Sequence, residues 1–278
     1  MRIFITGGLG FIGGHLIKAI KEMLPDAEYV IYDLKDGNDI LDYEDLLEAM
    51  TGASAVVHLA ALINVIESKE QPTEYFQTNV MGTLNVIKAA KELKIEKIVY
   101  ASSAACYESS SSPYALTKYF GELMPQALNF QGDYISLRFF NIYGPGQDVE
   151  RKALIPSVVN KLSKNEPITV YGEGTQTRDY IHVNDVARSI ICALTLKHSL
   201  GTRVFDIGTG KEFSVISIIN LIASSMLKEP KIVYENSTSK GVGRSKASVW
   251  EAQTYLRFMS SIDVMTGIKK LIKENHYV

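Results

Sequence analysis

The sequence has little of several things that would define a function class at once. Its 278 residues hold only two cysteines, Cys106 and Cys192. Two thiols cannot build a disulfide framework, and they read as small buried side chains in a reducing compartment. There is no CxxC pair and no HExxH, and the five histidines are scattered, so no metal site is expected. Net charge is nearly absent, with 29 basic against 31 acidic residues. That balance gives no electrostatic reason to expect a nucleic acid or an anionic membrane as partner. No uncharged apolar run reaches the ~18 residues that a membrane span needs. The first apolar stretch is broken at once by glycines and followed by Lys18, Lys21 and Glu22, unlike a secretory signal. A cytoplasmic protein is expected.

What remains is ordinary globular composition, 46% apolar and 22% charged, long enough for one large or two modest domains. Short apolar runs at 2–6, 29–32, 55–59, 97–101 and 134–139 read as strands. Helical periodicity lies between them, near 12–20, 76–93 and 114–130. Continuous rather than alternating apolar strands, separated by helices, predict a Rossmann-type α/β fold: a doubly wound parallel sheet covered on both faces. After Asn141 turn clusters appear at 144–146 and 172–174, with helices expected near 153–164, 184–198 and 214–226. Strands are expected at 168–171, 203–207 and 231–234. The division predicted is a cofactor-binding domain over 1–140, to which 180–210 returns, and a smaller α/β substrate-binding domain over most of 141–278.

The segment from Thr6 to Gly13 lies between a strand and a helix. Gly8, Gly10 and Gly13 fit GxGxxG; Gly7, Gly10 and Gly13 fit GxxGxxG. Either register gives a tight turn that lets backbone approach a pyrophosphate at a helix N-terminus. Asp33, 20 residues beyond Gly13 at the end of the second strand, can accept bonds from both ribose hydroxyls and repels a 2′-phosphate. NAD is therefore expected over NADP, with Lys35 close by. Tyr114 and Lys118 are one helical turn apart after Pro113, so phenol and ammonium share a face. An ammonium there is expected to lower the phenol toward a usable base. Ser103 ends the fourth strand at the edge where open sheets bind ligands.

Together these residues resemble the extended short-chain dehydrogenase/reductase family, the NAD-dependent sugar-nucleotide epimerases and dehydratases. The matching segments are TGGLGFIGGHL at 6–16, YDL at 32–34, DI at 39–40, HLAA at 58–61 and NVMGT at 79–83. They continue with ASSAACY at 101–107, PYALTK at 113–118, RFFNIYGPG at 138–146 and TRDYIHVNDVA at 177–187. The resemblance implies that Gly7, Gly10, Phe11 and Ile12 face the pyrophosphate. It implies that Asp33 and Leu34 meet the adenosine ribose, and that Asp39 and Ile40 border adenine. Leu59, Ala60, Ala61, Asn79, Ala101 and Ser102 line the cofactor cleft. Ser103, Tyr114 and Lys118 form the catalytic set, the last two also touching NAD. Ser103, Asn141, Arg178 and Arg244 meet the substrate. His58 is read as structural, His182 and Asp185 as packing and capping, and Phe140 and Tyr143 as pocket walls. A homodimer through the helices near 73–93 and 114–130 is implied as well.

Three departures stand out. Only eleven positions separate Ser103 from Tyr114, and Ser109–Ser112 fill part of them. Ile63 replaces a basic pocket residue. The C-terminal phosphate segment is blurred, with Lys240-Gly241 and Arg244-Ser245 as candidates. The positions that serve water elimination in dehydratases are Ala104 and Ala105, which carry no proton. The expectation is thus a nucleotide-sugar 4-epimerase acting on a UDP-linked hexose, with an NAD(P)-dependent reductase, dehydratase or decarboxylating enzyme of the same family as the alternative. A regulator that binds NAD without turnover is the alternative from another class.

Overall fold

The computed structural model describes residues 1–149, 153–236 and 243–274. The chain forms two compact units: Met1–Phe139 with Ala187–Asp206 and Glu251–Phe258, and Phe140–Val186 with Ile207–Trp250 and Met259–Val278.

The first unit is built on strands β1 (Arg2–Thr6), β2 (Glu28–Tyr32), β3 (Ala55–His58), β4 (Lys97–Ser103) and β5 (Asp133–Phe139). A sixth strand, Thr202–Ile207, lies beyond β5, giving the order Thr202–Ile207, β5, β4, β3, β1, β2. The pairs β1–β2, β1–β3, β3–β4 and β4–β5 are all parallel. The central strands are apolar on both faces because helices cover both. β3 is buried throughout, whereas the edge strand β2 is only partly so. The strand order reverses between β1 and β3, so the crevice at their carboxyl ends is where an open sheet of this kind binds ligands.

Three helices differ from the periodic pattern. The segment expected over 76–93 divides into a π-helical stretch, Phe76–Met81, and an α-helix, Gly82–Glu92. The helix expected to reach Phe130 spans Pro113–Ala127. Pro125 has no N–H to offer the Gly121 carbonyl, and the Tyr134 hydroxyl donates to that carbonyl instead at 2.9 Å. Asn129 then leaves the helix with φ of 51°. The helix expected over 184–198 is Val183–Leu194, where the Lys97 ammonium donates to the carbonyls of Leu194 and Leu196.

The second unit packs helices Leu154–Ser163, Val215–Ser225 and Val264–Glu274 around a common core. Val158, Val159, Ile218, Ile222, Ile268 and Leu271 are among its buried members. Small sheets flank it: Ile168–Tyr171 with Ile232–Glu235, Asn141–Tyr143 with Tyr180–His182, and three short strands around Thr177–Arg178.

His58 is a structural tie. Its Nδ1 lies 2.7 Å from Thr6 Oγ1 and its Nε2 2.9 Å from Thr83 Oγ1. Thr83 spends its single proton on the Asn79 carbonyl at 2.6 Å, so it must accept from Nε2–H. Nδ1 therefore accepts from Thr6, whose oxygen in turn accepts from the Ala60 N–H at 3.2 Å. Burial, helped by the Lys118 charge, pushes the imidazole down to about 3. The unfolded chain takes up this proton near 6.5, so this residue's contribution to stability falls as pH drops below that value. Between pH 7 and 5 the loss is about 2 kcal/mol. Urea unfolding at the two pH values should show it, and a His58→Gln chain should have a flatter slope; equal slopes would contradict the assignment.

Candidate active site

Within the first unit, the carboxyl end of β1 turns directly into helix Phe11–Met23. Gly7 adopts φ of 70°, and a Cβ on it would sit 2.6 Å from the Ala60 amide nitrogen. Only glycine allows the two backbones to approach so closely. Gly10 begins the helix with no side chain capping it, so the first-turn N–H groups remain available to an anion. Phe11 and Ile12 open that helix. The Asp33 carboxylate accepts from the Leu9 N–H and the Lys35 N–H, both at 2.9 Å, and Lys35 Nζ donates to the Leu9 carbonyl at 3.0 Å. Asp33 thus fixes the glycine turn and keeps a lone pair on each oxygen for hydroxyl donors. These features fit a dinucleotide.

The other expected cofactor residues occupy different settings. Leu34 is exposed. Asp39 accepts from the Leu41 N–H, while Ile40 is packed into the core and its carbonyl accepts from Asn85. Leu59, Ala60 and Ala61 follow β3 and are partly exposed. Asn79 is buried in the π-helical stretch, with its amide fully engaged. It accepts from the Leu62 N–H, and it donates to the Leu62 carbonyl and to Thr117 Oγ1. Asn79 therefore holds the wall after β3 against the Pro113–Ala127 helix, a geometry its sequence position does not announce.

Ser103, Tyr114 and Lys118 come from the end of β4 and the start of that helix. The eight residues Ala104–Ser111 form a short 3₁₀ segment, and Ser103 Oγ accepts from the Ala105 N–H at its start. Ser112 then caps the helix through the Ala115 N–H. Lys118 is buried, donating to the Ala101 carbonyl at 2.8 Å with its ammonium 5.0 Å from the centre of the Tyr100 ring. Burial outweighs the lowering of the phenol expected from the lysine. Burial pushes Tyr114 up to about 12, and the opposing influence is its hydrogen bond with Ser103. Burial also pulls Lys118 down to about 8.

In the second unit, Asn141 and Arg178 line one cleft of about 370 Å³ with Tyr143, Gln176 and Tyr180. Phe140 is buried. Asn141 donates through its amide group and its backbone N–H to the Asp179 carbonyl. The Asp179 carboxylate, wholly buried, accepts from Thr209, Gly210 and Ala247. Gln176, Tyr180 and Asp179 were not singled out by sequence reasoning, although the last two lie inside the 177–187 motif. Arg244 does not line the cleft. Its guanidinium forks onto Glu212, with contacts of 2.8 and 2.6 Å. Lys240 and Gly241 lie outside the described residues. Asp185 accepts from Ser261 and Ile262, and His182 Nδ1 from the Asn184 N–H, consistent with packing and capping. Among the described residues there is no cluster of metal-binding side chains, and no helix is long and apolar enough to cross a membrane.

A parallel sheet with a glycine turn and a terminal acid at its reversal point defines a Rossmann-type dinucleotide-binding protein. Residues 3–208 match the model of the NAD dependent epimerase/dehydratase family. The chain belongs to this family, whose cofactor is NAD. It is 31% identical to a putative UDP-glucose 4-epimerase of Methanocaldococcus jannaschii over 97% of both chains. Among solved structures it is similar to MoeE5 in complex with UDP-glucose and NAD, at 29% identity and a TM-score of 0.89 over 99% of each chain. It is also similar to a UDP-N-acetylglucosamine 4-epimerase from Methanobrevibacter ruminantium M1 in complex with UDP-N-acetylmuramic acid. There the identity is 26% and the TM-score 0.89, over 98% of this chain and 97% of that one.

The buried lysine yields a test that needs no substrate. An unfolded chain keeps the Lys118 proton to about 10.5, whereas the folded one releases it at about 8. Between these values the unfolded state binds more protons, so this residue's contribution to stability rises with pH, by roughly 3 kcal/mol over the window. The difference in unfolding free energy between the wild type and Lys118→Met should change by that amount from pH 8 to 10.5. A difference independent of pH would show that the ammonium is not buried.

Proposed function

We propose that the chain is an NAD-dependent nucleotide-sugar 4-epimerase that acts on a UDP-linked hexose, with Tyr114 as the base. The observation that carries the reading is the gathering of Ser103, Tyr114 and Lys118 in the same unit as a glycine turn shaped for a dinucleotide. Gly7, Gly10, Phe11, Ile12 and Asp33 would hold NAD, with Leu59, Ala60, Ala61, Ala101 and Ser102 along the cleft and Asp39 toward adenine. Bound NAD supplies reversible hydride acceptance and a positive ring. Tyr114 takes the proton of the sugar 4-hydroxyl and later returns it. Ser103 hydrogen-bonds the phenol and orients the same sugar oxygen. Lys118, anchored on Ala101, contributes positive charge behind the site. In the second unit Arg178, with Asn141 held by Asp179, offers a planar fork to the diphosphate. The first unit would thus serve the cofactor and the second the nucleotide sugar. Ala104 and Ala105 supply no acid or base, which disfavours elimination of water.

The apolar side chains of Met81 and Leu123 are exposed on neighbouring helices joined by the Phe76–Phe120 ring contact. They support a homodimer through this face, and the reducing-compartment reading of the two thiols supports a cytoplasmic location. A sedimentation mass equal to one chain at all concentrations would remove the dimer.

Purified protein should convert UDP-glucose or UDP-galactose, or their N-acetyl forms, into a mixture of C4 epimers reached from either side, with no net NADH. Tyr114→Phe should lower turnover by about 10²–10⁴-fold. Wild-type turnover in that variant would sink the assignment of the base. Release of carbon dioxide from UDP-glucuronate would move the reading to a decarboxylating enzyme.

A further inference from the structure

The Ala104–Ser111 segment that follows Ser103 has almost no apolar anchorage; Cys106 alone among its residues is buried. It is nevertheless tied down at Tyr107. The Tyr107 hydroxyl donates to the Asp206 carboxylate, with both oxygens at 2.9 Å, and the Arg138 guanidinium covers its ring at 4.6 Å from the centre. Arg138 in turn forks onto Glu122 at 2.8 and 2.7 Å. Glu122 lies one turn beyond Lys118 on the same helix, and it accepts from Ser102 Oγ at 2.5 Å. The contacts therefore return to the residue next to Ser103. Covalent chain from Ser102 to Tyr107, and the path Tyr107–Arg138–Glu122–Ser102, close a ring around the Ser103 turn. Cys106 Sγ bridges that ring, 3.4 Å from Ser102 Oγ.

We propose that Tyr107 is a positioning residue: through Asp206 and the Arg138–Glu122–Ser102 path it fixes the Ser103 hydroxyl against the Tyr114 phenol. This rests on Ser103 and Tyr114 being the reacting pair. A longer segment could pack itself down with its own apolar side chains. One of eight residues cannot, and its polar anchor takes that role. The hydroxyl adds to the Arg138 contact a second tie, to Asp206, so the segment is held at two points. Small displacements of a reacting group cost rate out of proportion to their size.

The test is kinetic. Tyr107→Phe keeps the ring over Arg138 and removes the hydroxyl that bonds Asp206 and Arg138, at a residue that is 60% exposed. Its kcat should fall by about tenfold while the substrate KM and the NAD Kd stay within about twofold, because the substituted side chain itself holds neither ligand. The rising limb of the pH–rate profile should move to higher pH, since the Ser103 bond is what lowers the phenol. Asp206→Ala should do the same, and the double variant should be no worse than either single one. Arg138→Lys, which keeps charge on Glu122 but loses the planar fork, should also lower kcat. Glu108→Gln, exposed on the same segment, should match the wild type. An unchanged kcat with only a lowered Tm overturns the proposal, as does a loss shared equally by kcat and NAD binding. Ser103→Ala and Tyr114→Phe in the same assay separate the two readings. If they keep turnover, the catalytic assignment fails; if they collapse while Tyr107→Phe does not, positioning alone fails.

Discussion

The neutral imidazole of His58 is the constraint on which the ligand-facing edge of the sheet depends. It stands between Thr6 at the end of β1 and Thr83 on the helix that follows the π-helical stretch. Because one nitrogen must donate and the other accept, the direction of every bond from the Ala60 amide to the Asn79 carbonyl is set. The glycine turn after β1 and the wall after β3 are thereby held at the separation that leaves no room for a side chain on Gly7. Charging the ring would turn one acceptor into a donor and leave Thr6 facing it with the wrong polarity. A histidine there is tolerated because it stays uncharged.

Much of this was legible in the sequence. Continuous apolar runs gave the parallel strands, and the glycine turn and Asp33, which follow the first two, are joined in the structure. Tyr114 and Lys118 were legible because a helix turn is a local distance. Contacts between residues far apart in the chain were not. The lysine was expected to lower the phenol, yet burial, set by residues from other elements, outweighs that lowering at Tyr114. Arg244 was expected to meet a phosphate, yet it is forked onto Glu212. Asn79 was expected at the cleft surface, yet its amide is used inside the protein. In each case the residue type was informative and the partner was not, because the partner comes from another element.

Lys118 and Glu122 also show how the Pro113–Ala127 helix is used. One face carries a phenol, an ammonium and a carboxylate at successive turns, and the last two are buried. Buried charge is costly unless paired. The carboxylate has a bidentate arginine and a serine, while the ammonium has a single carbonyl and an aromatic ring. The unequal pairing leaves Glu122 a rigid strut and Lys118 a group that can release its proton near neutrality.

Asp179 bears on how the second unit assembles. Its carboxylate is satisfied by residues 30, 31 and 68 positions further along the chain. The intervening chain includes the strand that completes the other unit's sheet. Until those segments arrive, the carboxylate must stay in water, so the 177–180 motif cannot bury itself as a local hairpin could. Contacts of such sequence separation cost loop-closure entropy before they stabilise the chain, so they follow local ones. On a ribosome, where the chain appears in order, the first unit's five leading strands are available long before Ala247. The 177–180 segment therefore acquires its native form only after Ala247 has been synthesised.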